Sequence, residues 1–340
     1  MIAKLLDPAR LDKTRAAAAR LFPGLLAAGT VAAAARFLSE HYGGPAMLFA
    51  LLLGLAFYFL SVESRCAEGI EFAAKHVLRF GVALLGLRIT FEEIAALGLV
   101  PILIVIGAVA LTLVSGVGIA RLFNRGWRYG LLTGGAVAIC GASAALAIAS
   151  VLPRNERTER NTLFTVASVT TLSTLAMVFY PIIVRTLELD DAAAGLLLGG
   201  TIHDVAQVIG AGYSISEQAG ETATLVKLVR VSMLFPIIVI FSLMFRGRPD
   251  VDPHGRLPVP LFLIGFVALV VLGSVTQLPA WLDVATSEIS RWCLLMAIAA
   301  VGMKTSLKAM TEVGFQHGFI IVAETILLGI LVLGAILALG

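Results

Sequence analysis

Charge is what this chain has least of. Of its 340 residues, 25 are Lys or Arg and 22 are Asp or Glu, so 14% are charged, whereas 59% are hydrophobic. A soluble domain carries about 25% charged and 45–50% apolar residues. This scarcity of charge excludes a soluble enzyme and a disordered chain. The mean hydropathy of +0.97 indicates a polytopic membrane protein.

Cysteine is also scarce. Cys66, Cys140 and Cys293 form no C-x-x-C pair and have no histidine at zinc-site spacing, so a disulfide framework is excluded and neither a metal nor a cofactor is predicted. A net charge of +3 is too small to indicate a nucleic-acid partner. The phosphate-binding motif GxxxxGK[ST] is absent, so the sequence gives no support for ATP-driven transport.

Long apolar runs fill most of the chain. A helix that crosses a bilayer needs roughly 20 mainly apolar residues, and the alternating segments of an outer-membrane barrel are missing. The sequence therefore predicts an all-α polytopic membrane protein, with a cytoplasmic lead-in over 1–20 and a single transmembrane domain over 21–340. About eleven membrane segments are predicted, at 21–38, 45–62, 74–90, 98–120, 130–152, 162–184, 192–212, 222–245, 257–278, 286–303 and 315–339.

Basic loops stay on the cytoplasmic side of a membrane. The basic residues of 1–20 and of the 121–128 loop agree with a cytoplasmic N-terminus and a periplasmic C-terminus in a bacterial inner membrane. The basic loop 154–160 disagrees if segment 130–152 crosses the membrane completely. The disagreement disappears if 130–152 and 192–212 are both broken or re-entrant helices, and this is the topology that we predict.

Two pairs of segments resemble each other within the chain. Residues 130–184 share short strings with 195–239, and residues 86–98 share others with 302–314. Inverted repeats that meet at broken helices are typical of secondary transporters. The alternative is chance similarity, because small residues pack the helices of every membrane bundle.

The first candidate site is the small-residue run 134–144, which contains Gly135, Cys140, Gly141 and Ser143. Such a run allows a helix to break, and the N–H groups freed at a helix N-terminus bind anions. The alternative is close helix packing without a ligand.

The second candidate is the run 199–212, in which Thr201, His203, Asp204 and Gln207 interrupt an apolar segment. Ionisable residues at membrane depth are usually functional, and a buried histidine beside an aspartate can hold or pass a proton. We therefore expect His203 and Asp204 to couple protons to function. The alternative is a structural pair that caps a broken helix.

Cations inside the apolar segments form a third set. Arg230 lies deepest and is expected to face a cavity and attract an anion, whereas Lys227, Arg88 and Lys304 are expected to snorkel to the membrane surface. Glu324 lies deep in the last segment, and the sequence indicates no partner for it.

An enzyme is the main alternative class. The string GASAA at 141–145 nearly matches G-x-S-x-G, and His203 and Asp204 could complete a triad with Ser143. The motif needs a strand–turn–helix context, which is missing here. No catalytic residue is therefore predicted, and an intramembrane serine hydrolase or a non-transporting membrane regulator stays an alternative.

Five strings together resemble a known family. They are GVALLGLRIT at 81–90, GGAVAICGASA at 134–144, TIHDVAQVIGAG at 201–212, KLVRV at 227–231 and GMKTSL at 302–307. On these strings the chain resembles the YeiH-type sulfate exporters, bacterial inner-membrane proteins grouped with transporters of the bile-acid, arsenite and riboflavin type. The resemblance implies inverted repeats with crossed broken helices and suggests anion efflux.

The function predicted from the sequence is secondary transport of a small inorganic or sulfonate anion by alternating access, with sulfate as the substrate that the resemblance suggests. Expected substrate contacts come from Gly135, Cys140, Gly141, Ser143, Thr201, Gln207 and Arg230. The other expected partners are the lipid bilayer and a coupling ion, either a proton or sodium. A homodimer is one open arrangement.

Overall fold

The computed structural model describes residues 8–62, 64–92, 95, 98–153, 155–245, 261–276, 279–305 and 315–339. In these ranges every regular element is a helix, which confirms the all-α prediction. The repeat segment over 306–314 lies outside the described residues. The elements are α1 (Pro8–Tyr42), α2 (Ala46–Ala56), α3 (Phe59–Val62), α4 (Ser64–Phe72), a π-helical turn (Ala73–Val77), α5 (Leu78–Leu85), α6 (Leu99–Leu122), α7 (Trp127–Ala138), α8 (Ala142–Val151), α9 (Glu156–Thr186), α10 (Asp191–Thr201), α11 (Val205–Tyr213), α12 (Glu217–Ser232), α13 (Leu234–Met244), α14 (Leu261–Val275), α15 (Ala280–Lys304) and α16 (Phe315–Leu339).

Within the described ranges, six stretches are long and apolar enough to cross a membrane. The predicted segments 130–152 and 192–212 are each a pair of short helices, α7 with α8 and α10 with α11. Because six long stretches were found and eleven segments were predicted, the count of eleven stays a prediction. The inverted relation of the repeats stays a prediction too. The six long stretches are Ala18–Tyr42, Leu99–Leu122, Glu156–Thr186, Glu217–Met244, Trp281–Lys304 and His317–Ala338.

Side-chain caps fix where several helices begin. The carboxylate of Asp190 accepts a hydrogen bond of 2.7 Å from the backbone N–H of Ala193 at the start of α10. Asn155 caps α9 and Ser216 caps α12 in the same way. Each cap satisfies a backbone donor that the first turn of a helix leaves unpaired, and such a cap typically stabilises a helix by about 1 kcal/mol.

The chain divides into two compact units. The first contains α1 to α5 and α15, and glycine lets α2 lie against α15. A Cβ atom built on Gly54 would come within 2.3 Å of the Ala299 carbonyl oxygen. In the same unit Arg36 pairs with Glu288 at 3.3 Å. Small residues at helix crossings are typical of membrane bundles.

The second unit contains α6 to α14 and α16. One close helix crossing joins α6 to α7, where a Cβ atom on Gly130 would lie 2.4 Å from the carbonyl oxygen of Gly116. Since the Gly116 oxygen is a backbone atom, it cannot move aside without shifting α6. This crossing fixes α7, which leads directly into the first helix break.

Gly130→Ala should therefore destabilise the protein. Forcing an extra methyl group into a packed contact typically costs about 1–3 kcal/mol, so we expect a lower unfolding temperature for the detergent-purified protein. The matched control is Gly118→Ala on α6, because a Cβ atom there meets nothing within 4 Å. Equal unfolding temperatures for the two variants would contradict the importance of this crossing.

Candidate functional site

Two helix breaks lie side by side in the second unit. The first separates α7 from α8 at residues 139–141, and the second separates α10 from α11 at 202–204. Gly141 has φ of +63°, a left-handed conformation that favours glycine. A Cβ atom on Gly141 would lie 3.2 Å from the Cβ of His203. The prediction that both segments are interrupted is therefore confirmed, and the interruptions are neighbours.

Arg230 on α12 joins the two breaks. Its guanidinium is completely buried. Nε donates to the Ala138 carbonyl at 2.9 Å and Nη2 to the Val137 carbonyl at 2.8 Å, both at the end of α7. Nη1 donates to the carbonyls of Gly199 at 3.1 Å and Ile202 at 3.0 Å, at the end of α10. One side chain therefore satisfies carbonyls that both helix ends leave unpaired.

Lys227, one turn before Arg230, also donates hydrogen bonds to carbonyls of both breaks. It is likewise completely buried. Its Nζ donates to the carbonyls of Ile139 at 2.8 Å and Ile202 at 2.9 Å. The expectation that Lys227 snorkels is wrong, because helix C-termini carry negative partial charge and attract cations. Arg88 and Lys304, which are partly exposed, pair with glutamates instead.

Asp204 begins α11 as its cap. Its side chain accepts a hydrogen bond of 2.8 Å from the Ala206 N–H, and its own N–H donates to Ser173 Oγ at 2.9 Å. The capping role raised in the sequence analysis is thus present, while the coupling role stays a prediction.

His203 is buried between the breaks and α16. Its Nε2 lies 3.0 Å from Thr325 Oγ1, and that hydroxyl donates its hydrogen to the Ile321 carbonyl. Thr325 must therefore accept from His203, which places a hydrogen on Nε2. Since this nitrogen is committed to Thr325, it is not paired with Ser143 as a serine hydrolase would require.

Gln207 lies one turn after His203 and is 1% exposed. Its Nε2 donates to Thr174 Oγ1 at 2.8 Å. Its Oε1 has no hydrogen-bond partner in the described part of the chain, which leaves a buried acceptor for a bound molecule. The sequence analysis did not single out Ser173 and Thr174, although two adjacent hydroxyl residues in an apolar run were a usable signal.

The other predicted site residues divide into two groups. Cys140 and Thr201 are buried at the two breaks, and Ser143 is exposed in the first turn of α8. The cap of α8, Gly141, has no side chain to pair with that turn. Gly135 packs instead, because a Cβ atom there would lie 2.3 Å from Cδ1 of Ile148. The structure thus brings all the predicted residues except Gly135 to the breaks or to the first turns of the helices that follow them.

Arg230→Lys should destabilise the protein strongly. An ammonium group cannot reach four carbonyls spread over two helix ends, and hydrogen bonds to charged groups contribute about 1.5–3 kcal/mol each. Losing two of them should lower the unfolding free energy by about 3–6 kcal/mol. The control is Arg157→Lys, an exposed residue in the first turn of α9. If both variants unfold like the wild type, the carbonyl contacts of Arg230 do not hold the breaks together.

Comparison with known proteins agrees with the helical membrane fold. Residues 23–321 match the family model described as Conserved hypothetical protein 698. A UPF0324 membrane protein of Chlorobaculum tepidum is 56% identical, over 93% of this chain and 89% of its own length. Another, from Rhizobium meliloti, is 55% identical over 94% and 93% of the two chains. The UPF0324 membrane protein TauZ of Paracoccus denitrificans is 55% identical over 92% and 93%. No solved structure matches this chain. These matches confirm the family resemblance found in the sequence motifs, and the chain belongs to the UPF0324 family of membrane proteins.

Proposed function

We propose that this protein is a secondary transporter that moves a small anion, sulfate or a related sulfonate, out of the cell by alternating access. The observation that carries the proposal is the pair of buried cations, Lys227 and Arg230, at the point where two helix breaks meet. Broken helices that meet inside the protein are the usual frame of a substrate site in secondary transporters.

The local charge favours an anion over a cation. A helix end carries about half an elementary charge. The ends of α7 and α10 therefore contribute about one negative unit, and the starts of α8 and α11 about one positive unit. Lys227 and Arg230 add two positive charges and Asp204 one negative charge. The remainder is about one positive charge in a region shielded from water, which attracts a small anion.

The first turn of α8 and the unpaired amide oxygen of Gln207 offer the contacts. Backbone N–H groups at the start of α8, together with the Ser143 hydroxyl, are suited to the oxygens of a sulfate or sulfonate group. Arg230 has its donors engaged by carbonyls, so we propose that it attracts the substrate through its charge. Gln207 Oε1 suits a donor group on the bound molecule.

We further propose that His203 and Asp204 couple proton movement to transport. His203 lies beside Gly141, at the contact between the two breaks. A change in its charge would be felt directly by the carbonyl-bound cations, since electrostatic interactions are strong where water is excluded.

Reconstituted protein should exchange radiolabelled sulfate or taurine across proteoliposomes. Gln207→Leu should weaken the exchange of taurine, because the taurine ammonium group can donate to Gln207 Oε1 and sulfate has no hydrogen to donate. The loss of one hydrogen bond, about 1 kcal/mol, corresponds to an increase in KM of roughly five- to tenfold. The control is Gln218→Leu, which makes the same change at an exposed position of α12. Absence of exchange for every sulfur oxyanion and sulfonate tested would rule out the proposed function. Loss of labelling by a serine-reactive probe in Ser143→Ala would point to a hydrolase instead.

His203→Ala should abolish the dependence of flux on pH, because the residue proposed to change its protonation would be gone. Flux is measured in proteoliposomes over a pH range of about 4.5 to 8.5, which extends well below the ordinary histidine pKa of about 6.5. His76→Ala, at an exposed position of the π-helical turn, is the matched control. A pH profile unchanged from that of the wild type would remove His203 from the coupling mechanism.

A further inference from the structure

Glu324 is a buried carboxyl group with no counter-ion among the residues that the structure describes. It lies on α16, is 0% exposed, and its Oε1 accepts a hydrogen bond of 2.8 Å from Thr133 Oγ1 on α7. Its Oε2 has no hydrogen-bond partner in the part of the chain that the structure describes. A carboxylate in this position would be costly, because a buried charge needs a cation or several donors.

The interactions of Glu324 with described residues are with hydroxyl groups and backbone. Gly116 on α6 lies close to it, because a Cβ atom built on Gly116 would lie 3.0 Å from Oε1 of Glu324. From α7 come Thr133 and Tyr129, whose hydroxyl group interacts with it electrostatically. Among the described residues of α9 and α10, none forms an ion pair or a hydrogen bond with Glu324. The carboxyl group can therefore exchange a proton without breaking a salt bridge.

A line of hydrogen bonds leads from the α6–α7 loop to Tyr129, whose hydroxyl group interacts electrostatically with Glu324. Arg125 Nη2 lies 3.1 Å from His317 Nε2, and Tyr129 Oη lies 2.9 Å from His317 Nδ1. Arginine can only donate, so Nε2 accepts, and Nδ1 carries the hydrogen of the neutral ring and donates it to Tyr129. The hydroxyl hydrogen of Tyr129 is then free to point onward. Arg125 is only partly buried, so this end is open to water.

The other charged group near this line is Arg160, which interacts electrostatically with His317. Together with Arg125 it places positive charge at the outer end of the line. Proton transfer along hydrogen-bonded side chains needs donors and acceptors in contact, with each group able to pass a hydrogen on. His317 and Tyr129 meet this requirement.

The turn of α16 that carries Glu324 reaches the helix breaks through Thr325. The next residue, Thr325, accepts the hydrogen bond from His203 Nε2. His203 in turn lies against Gly141. The residue that follows Glu324 in α16 therefore contacts the site where we place the substrate.

We propose that Glu324 is a proton-binding site that drives transport, loaded through His317 and Tyr129. The inference rests on the proposed function, since it supplies the energy source for that transport. In the loading step the Oη–H bond of Tyr129 breaks as an O–H bond forms at Oε2, Tyr129 regains a hydrogen from Nδ1 of His317, and the imidazole takes a proton from water at Nε2. In the unloading step that bond breaks, the proton leaves toward His203, and the carboxylate returns. No electron transfer is involved.

Glu324→Gln separates coupling from substrate movement. The amide mimics the protonated acid and keeps the oxygen that accepts from Thr133, so the fold should be retained, which the unfolding temperature checks. In proteoliposomes the variant should still exchange external radiolabelled sulfate or taurine for the same internal compound at equal pH. Accumulation driven by a pH gradient should fall at least tenfold, because the amide cannot release a proton.

Three further variants complete the experiment. Glu159→Gln makes the same change at an exposed position in the first turn of α9 and should behave like the wild type. Glu324→Asp keeps a titratable carboxyl and should regain part of the gradient-driven accumulation. Tyr129→Phe removes only the relaying hydroxyl group and should slow accumulation more than exchange.

The outcomes distinguish this inference from the function on which it rests. If the wild type exchanges none of the sulfur anions, the proposed function fails and the inference fails with it. If Glu324→Gln still accumulates substrate in response to a pH gradient, transport stands and the role of Glu324 is refuted. If a sodium gradient and not a pH gradient drives the wild type, Glu324 is not the proton site proposed here.

Discussion

The second unit depends on one interaction, in which two cations bind the C-terminal carbonyls of two broken helices. Breaking a helix inside an apolar region leaves carbonyl groups without donors, each of which costs several kcal/mol where no water is available. Arg230 and Lys227 supply those donors from a single face of α12. The irregular backbone at 139–141 and 202–204 is therefore stable because α12 passes beside both breaks and supplies donors to their carbonyls.

Much of this arrangement could be predicted from the sequence, because it follows from local composition. The run of small residues around Gly141 and the polar residues at 201–207 mark places where an apolar helix cannot continue undisturbed. The basic loop 154–160 would lie on the periplasmic side if segment 130–152 crossed the membrane completely. This conflict independently predicted that both segments are interrupted. Local signals of this kind identify breaks, but they do not say what lies opposite them.

The partners of the buried charges could not be predicted, because they come from residues distant in the chain. Hydropathy places Lys227 within reach of the membrane surface, yet its ammonium group lies against the carbonyl of Ile139, 88 residues earlier. Thr325, 122 residues after His203, is equally invisible to sequence patterns. Snorkelling is the default for a lysine near a helix end, and only the convergence of two helix C-termini overrides it.

The mechanism that we propose assigns fixed charge and variable charge to different residues. Lys227 and Arg230 hold the breaks, so a change in their protonation would release carbonyls of two helices at once and threaten the fold. A group that gains and loses a proton in each transport cycle must instead have few partners and lie where its charge is still felt at the site. Within the described ranges Glu324 has one neutral hydrogen-bond partner, and its neighbour Thr325 contacts His203. In the mechanism that we propose, the carbonyl-bound cations attract the anion and a separate carboxyl group titrates nearby, so the substrate and the proton act on one shared electrostatic environment.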